Sequence, residues 1–147
     1  MIHCRMIRKR DYISLPLLFD VLGYPSTPED IVNRMDHLMQ LPQYEAIVAV
    51  NDKEEIFGFV GLGHMHYFEK TGTYGAILAM AVRGDKQRQG IGTILIEAAE
   101  AWANNLGCDD VVVSSGNRNE RKAAHQFYQK HGYLHEGSSF VKCLGES

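Results

Sequence analysis

Between residues 87 and 92 the chain reads Gln87-Arg88-Gln89-Gly90-Ile91-Gly92, joining an apolar run to a strongly helical one. A helix begun through glycines presents main-chain N–H groups without intrahelical partners, together with the positive end of its dipole. Missing side chains let an anion come close to that backbone, so such a loop suits a phosphate or diphosphate. Gln87, Arg88 and Gln89 place further donors around it. A tight turn with no ligand would use the same glycines. Two well-known phosphate loops do not fit. A Walker loop ends in Gly-Lys-Ser/Thr, and here Gly92-Thr93-Ile94 has no lysine. A dinucleotide fingerprint needs a small residue where Leu95 stands, after the first strand of a doubly wound unit.

Other side chains with chemical potential are fewer. Arg121, His125 and Tyr128 are spaced by four and three, one face of a helix. Taken alone, Tyr128 beside Phe127 reads as a core tyrosine and His125 as a packed histidine. His64 and His66 alternate on a strand-like run, but no third ligand has local spacing, so no metal site is expected. Cys4, Cys108 and Cys143 are widely spaced and form no CxxC pair. They read as reduced thiols, not as a disulfide framework or a zinc site.

The elements that must position these residues follow from periodicity. Residues 2–8 alternate weakly and predict a first strand. Residues 11–22 have helical spacing with Gly23 as a stop, and Pro16 blurs where that helix begins. Thr27-Pro28-Glu29-Asp30 is a helix start, with a hydroxyl cap, proline at the first position and acids in the first turn. That helix is expected to reach residue 41, before Pro42. Strands are expected over 44–50, 56–67 and 74–82, with turns at 51–54 and Gly72. Ile91, Ile94, Leu95, Ala98, Ala99, Trp102, Ala103 and Leu106 make one apolar stripe, ended by Gly107. A short strand at 111–113, a helix at 120–131 ended by Gly132, and two more strands within 133–144 complete the chain. A strand, glycine loop, helix and strand in that order form a right-handed crossover. Residues 79–82 and 111–113 should therefore lie parallel and adjacent.

The whole predicts one α+β domain over residues 1–147, a mixed sheet with helices on both faces. The chain has 147 residues, 45% hydrophobic and 22% charged, which is enough for a real core. A net charge of −3 gives no basic field for nucleic acid. Charged residues from Arg5 to Asp11 precede any apolar stretch of signal length, and no run approaches the roughly 18 apolar residues of a membrane span. The expectation is a soluble, cytoplasmic protein with no membrane partner.

Val82 followed by Gln87-x-x-Gly90-x-Gly92 resembles the acetyl-coenzyme A signature of the GNAT superfamily of N-acetyltransferases. Downstream, the run from Ala123 to Tyr133, Ala-Ala-His-Gln-Phe-Tyr-Gln-Lys-His-Gly-Tyr, resembles the family's second signature, A-x-x-F/L-Y-x-K-x-G-F/Y. The two stand in the family's order, with a short strand between them, and element order matches along nearly the whole chain. The resemblance implies a GNAT-like mixed, mostly antiparallel sheet of about seven strands with four helices packed on both faces.

It also implies roles. Acetyl-coenzyme A would be the cosubstrate, its pantetheine arm pairing with the backbone of Met80, Ala81 and Val82 on the fourth strand. Its diphosphate would sit on the amides of Gln87, Arg88, Gln89, Gly90, Ile91, Gly92 and Thr93. A backbone N–H near Ala81 would face the thioester oxygen and stabilise developing charge. The Tyr128 hydroxyl would protonate the departing thiolate, and Arg121 would reach a phosphate or amide of the cofactor. Two departures stand out. Many relatives carry asparagine where Arg121 stands, and Asn117 and Asn119 are out of register with it. Several relatives place an acid on the fourth strand as general base, where this chain reads Ile77-Leu78-Ala79-Met80. His64, His66 and Glu69 are then the available proton acceptors, beside ordered water.

The acceptor pocket in this family is shaped by the two N-terminal helices and their junction, here Leu22-Gly23-Tyr24-Pro25-Ser26. Tyr24, His66, Tyr67 and Tyr74 are its expected lining. The implied acceptor is a small-molecule amine, ahead of a protein amino group. With the fourth strand lacking its acid, a non-catalytic acetyl-coenzyme A sensor or interaction module is the alternative. A DNA-binding regulator would need a basic recognition helix that the chain lacks. Exposed sheet edges leave room for a homodimer by fold analogy.

Overall fold

The computed structural model describes residues 1–86, 89–114, 122–134, 140 and 142–145, with backbone alone for 122–124. Five runs form strands: His3–Met6 (β1), Tyr44–Val50 (β2), Ile56–His66 (β3), Thr73–Val82 (β4) and Asp110–Val113 (β5). They lie side by side in chain order. The first four are antiparallel neighbours, and β5 runs parallel to β4. The parallel step needs a crossover, supplied by the helix Ile91–Asn105 (α3).

The N-terminal helical stretch is broken where proline dictates. Pro16 has no N–H, so the expected single helix over residues 11–22 divides into a 3-10 turn, Lys9–Ser14, and a helix, Pro16–Leu22 (α1). The next helix, Pro28–Leu38 (α2), begins as its cap demands, with the Asp30 N–H donating to Thr27 Oγ1 at 3.1 Å. It stops short of residue 41 because Gln40 and Leu41 donate to carbonyls three residues back, His37 and Leu38, tightening the last turn.

Side-chain alternation along β3 divides the core between the two faces of the sheet. On one face Leu18 and Phe19 of α1 and Ile31 and Met35 of α2 bury against Val48, Val50, Phe59 and Ala81. On the other, α3 approaches so closely that a Cβ on Gly58 would stand 2.8 Å from Leu95 Cδ1, and one on Gly75 2.8 Å from Ala103 Cβ. Asp11 ties the 3-10 turn to β1. Its carboxylate accepts from Arg5 Nη1 and Nη2 at 2.8 and 3.0 Å and from the Arg8 N–H at 2.7 Å. Burial pushes this carboxyl up, but the Arg5 and Arg8 hydrogen bonds together outweigh it and hold Asp11 below the usual carboxylate range.

The chain divides into two compact units, Met1–Val113 and Ser114–Ser147. In the second, Lys122–Lys130 forms a helix (α4), closed by Gly132 and Tyr133 amides that donate to Gln129 and Tyr128 carbonyls, each at 3.0 Å. Residues 120 and 121, expected to begin it, lie outside the described residues. So do 135–139 and 141, where two further strands were expected; residues 133–134, 140 and 142–144 are not strand. The described sheet therefore has five strands instead of about seven, and the helices are four plus two 3-10 turns, the second at Gly84–Lys86.

Candidate active site

The two edges of β4 are treated differently along its length. Facing β3, Gly61 pairs with Ala79 but Leu62 pairs with Ile77, so Leu78 is an extra residue, a β-bulge. The bulge sets the side chains of Leu78 and Ala79 toward the same face. On the other edge β5 pairs with Tyr74, Gly75, Ala76 and Ile77, and no further. The parallel neighbour expected from the crossover is present, but its partners are residues 74–77, not 79–82. β5 ends at Val113, opposite Ile77, one residue before the bulge. Among the described residues, Leu78–Val82 has a strand on one side only.

Register fixes which amides face that open edge. Arg83 donates to the Phe57 carbonyl at 2.9 Å. In an antiparallel ladder residues two apart face the same way, so Ala81 also turns its polar backbone to β3. Consistent with this, the Ala81 carbonyl oxygen lies 3.4 Å from the position a Cβ on Gly58 would take. Met80 and Val82 therefore turn theirs away from β3. The expectation that the Ala81 amide faces the open edge is corrected: alternation gives that position to Met80.

Beyond Val82 the chain makes the 3-10 turn Gly84–Lys86 and reaches exposed Gln89 and Gly90; Gln87 and Arg88 lie outside the described residues. Gly90 is the N-cap of α3, at φ 79°, and has no side chain of its own to cap the helix. A positive φ is the first reason for glycine here. Room is the second, since a Cβ would meet nothing within 4 Å. Ile91 is buried and pins the first turn, leaving its amide and that of Gly92 at the mouth of the loop with Thr93 behind them. Arg83 is engaged by Asp85, at 3.1 and 2.9 Å, and its hydrogen bond holds that carboxyl below its ordinary range.

A cavity of about 250 Å³ opens on the α1/α2 face of the sheet and ends on Leu78 and Ala79. Phe19, Met35, Leu38 and Phe59 give it an apolar wall, with Tyr24, Arg34, Tyr44 and Glu45 as polar members. Tyr24 lines it as expected from the helix junction. His66, Tyr67 and Tyr74 do not line it. Tyr67 and Tyr74 stack on each other at 4.7 Å near the β3–β4 turn. The Tyr67 hydroxyl donates to Asp110, which pushes its pKa up to about 12. His64 lies on the α3 face of β3, 6.5 Å from the Trp102 ring and 5.6 Å from His66, with Nε2 buried and lacking a hydrogen-bond partner. Neither the bulge nor Arg34 was singled out by sequence reasoning.

In the second unit Tyr128 is half-buried on α4, its ring 5.5 Å from Phe127 and 6.1 Å from Tyr133. His125, one turn earlier, is also half-buried; Arg121 lies outside the described residues.

A strand segment with a neighbour on one side only among the described residues, a glycine-led helix N-terminus and an apolar cavity against Leu78 and Ala79 suit a long thioester cosubstrate and a second, smaller reactant. The chain matches the acetyltransferase (GNAT) family over residues 14–133, and it belongs to that family. Members of that family use acetyl-coenzyme A as cosubstrate. No curated protein matches the chain. Among solved structures, a GNAT family acetyltransferase from Staphylococcus aureus is 27% identical, with a TM-score of 0.84 over 97% of this chain and 98% of that one. A transcriptional regulator from Bacillus halodurans is 25% identical, with a TM-score of 0.83 over 97% and 100%. An aminoglycoside acetyltransferase from an uncultured soil metagenomic sample, 21% identical, has a TM-score of 0.81 over 98% and 97% and shares the fold. Among the described residues no helix is long and apolar enough to cross a membrane.

Proposed function

We propose that this chain is an N-acetyltransferase that moves the acetyl group of acetyl-coenzyme A to a primary amine of a small molecule by direct attack in a ternary complex. The observation that carries the reading is the end of the β5 pairing at Ile77, which leaves Met80 with a strand on one side only among the described residues, next to the Leu78 and Ala79 that close the apolar cavity. The pantetheine arm lies along the second half of β4 and pairs with the backbone of Met80. The diphosphate rests at the N-terminus of α3, on the Gly90, Ile91 and Gly92 backbone, with Gln87, Arg88, Gln89 and Thr93 around it. The glycine cradle fits this ligand: it has the positive φ, and the space a Cβ would fill is open.

The reaction needs little covalent help from the protein. The neutral amine nitrogen attacks the thioester carbonyl, forming the C–N bond, while the Met80 N–H donates to the oxyanion. Collapse breaks the C–S bond. The nitrogen gives up its extra proton to water, and the thiolate takes one from the Tyr128 hydroxyl, which is restored from solvent. The β4 residues that line the cavity, Leu78 and Ala79, hold no base, and His64 turns to the α3 side. An alkylamine of pKa near 10 is neutral about once in a thousand molecules at pH 7. Rates should accordingly rise with pH across the neutral range.

Thiol release with a panel of amines, compared between the native protein and Tyr128→Phe, tests the reading. The substitution is expected to lower kcat by about tenfold to a hundredfold, because a thiolate leaving group of pKa about 8.5 needs only modest protonation. Coenzyme A binding should be retained. Binding without turnover of any amine, and no effect of the substitution, would instead favour a non-catalytic sensor of acetyl-coenzyme A.

A further inference from the structure

The cavity that ends on Leu78 and Ala79 has a wall with little to offer a polyhydroxylated, polycationic acceptor. Phe19, Met35, Leu38 and Phe59 present carbon, and tyrosines supply its neutral polar atoms. One cationic side chain reaches it, Arg34 of α2. Its guanidinium lies over the Phe19 ring, 5.4 Å from the centroid, and Nη2 donates to Ser26 Oγ at 3.3 Å. No carboxylate pairs with it within 4 Å among the described residues. A guanidinium carries five N–H donors in a planar fork, and Ser26 takes one of them. Glu45 of β2 also lines the cavity. Its Oε1 accepts from the Ala46 N–H at 3.2 Å. Of the two charged residues in the lining, Arg34 is the one that offers N–H donors, with Ser26 as its one hydrogen-bond partner among the described residues.

Building on the acetyltransferase reading above, we infer that the acceptor is a primary amine on an apolar body that also carries a carboxylate, and that Arg34 selects it. The Arg34 guanidinium gives a carboxylate a charge-assisted partner. The apolar body fills the space between Phe19, Met35 and Phe59, and the amine lies toward Leu78 and Ala79. Apolar amino acids have this pattern; aminoglycosides have its opposite.

The test is thiol release from acetyl-coenzyme A with matched pairs: phenylalanine against phenethylamine, ε-aminocaproate against pentylamine, and kanamycin as the polycation. At least one acid should exceed its decarboxylated partner in kcat/KM by about tenfold or more, the worth of one charge-assisted hydrogen bond. Arg34→Gln should abolish that ratio and Arg34→Lys should keep part of it. Arg34 is exposed, so folding is not at stake, and coenzyme A calorimetry on each variant checks this. An amine equal to its acid, an acid advantage that survives Arg34→Gln, or preference for kanamycin would overturn the inference. So would a protein that binds acetyl-coenzyme A and acetylates none of the acids. A native protein giving no heat with coenzyme A would instead sink the acetyltransferase reading from which the inference starts.

Discussion

The two halves of β4 belong to one continuous strand and have opposite uses. From Thr73 to Ile77 the strand is paired on both sides, by β3 and β5, and lies under α3 so closely that Gly75 has no room for a Cβ. From Leu78 to Val82 it has β3 on one side, among the described residues, and an apolar cavity against its first two residues. One inserted residue, Leu78, separates a structural half from a half with backbone to offer. The lesson is that a binding edge in a sheet needs no unusual side chain. It needs a strand to lose one neighbour while the other keeps it rigid.

Proline scanning breaks that comparison at its sharpest point. Ala81→Pro would remove an N–H that turns to β3, put the ring against the ladder, and is expected to unfold or strongly destabilise the protein, by about 3 kcal/mol or more. Met80→Pro removes an N–H on the other side. It should leave thermal stability within a few degrees while lowering kcat by roughly a hundredfold to a thousandfold, the range for loss of one oxyanion donor. Equal damage to stability from both would show that the open edge is assigned to the wrong residues. A smaller effect, confined to the structural half, is expected of Gly75→Val. Its added carbons meet Ala103 and Trp102, at 2.8 and 3.2 Å for the Cβ alone, and should cost about 2–3 kcal/mol in denaturant unfolding. Coenzyme A affinity of the folded fraction should stay within a few fold.

Much of this frame is legible in the sequence, and the reason it stops where it does is physical. The α3 stripe, the Thr27 cap and the meander of residues 44–82 rest on local periodicity and cap chemistry, which one stretch of chain carries by itself. The bulge does not. Ala76-Ile77-Leu78-Ala79-Met80-Ala81-Val82 is apolar throughout, so no polar alternation marks where the faces exchange, and the extra residue exists only in relation to Gly61 and Leu62 on another strand. The same blindness explains why Ala81 was expected at the edge that Met80 occupies. Arg34 was invisible for a different reason: one arginine on an amphipathic helix looks like any solvated charge until Phe19, Tyr44 and Leu78 are brought around it. Pro16, by contrast, signalled a break whose form, a 3-10 turn followed by a new helix, only the Asp11–Arg5 tie to β1 makes definite.

The most direct measurement is a coenzyme A titration followed by amide NMR on the nitrogen-15-labelled protein. The Met80 amide and those of Gly90, Ile91 and Gly92 should shift together on one saturating curve, while Gly75, Ala76 and Ala81 stay nearly in place. A folded spectrum in which none of the first group moves, or in which Ala81 moves and Met80 does not, would contradict the claim that the Met80 edge of β4 and the glycine-led end of α3 form one binding surface.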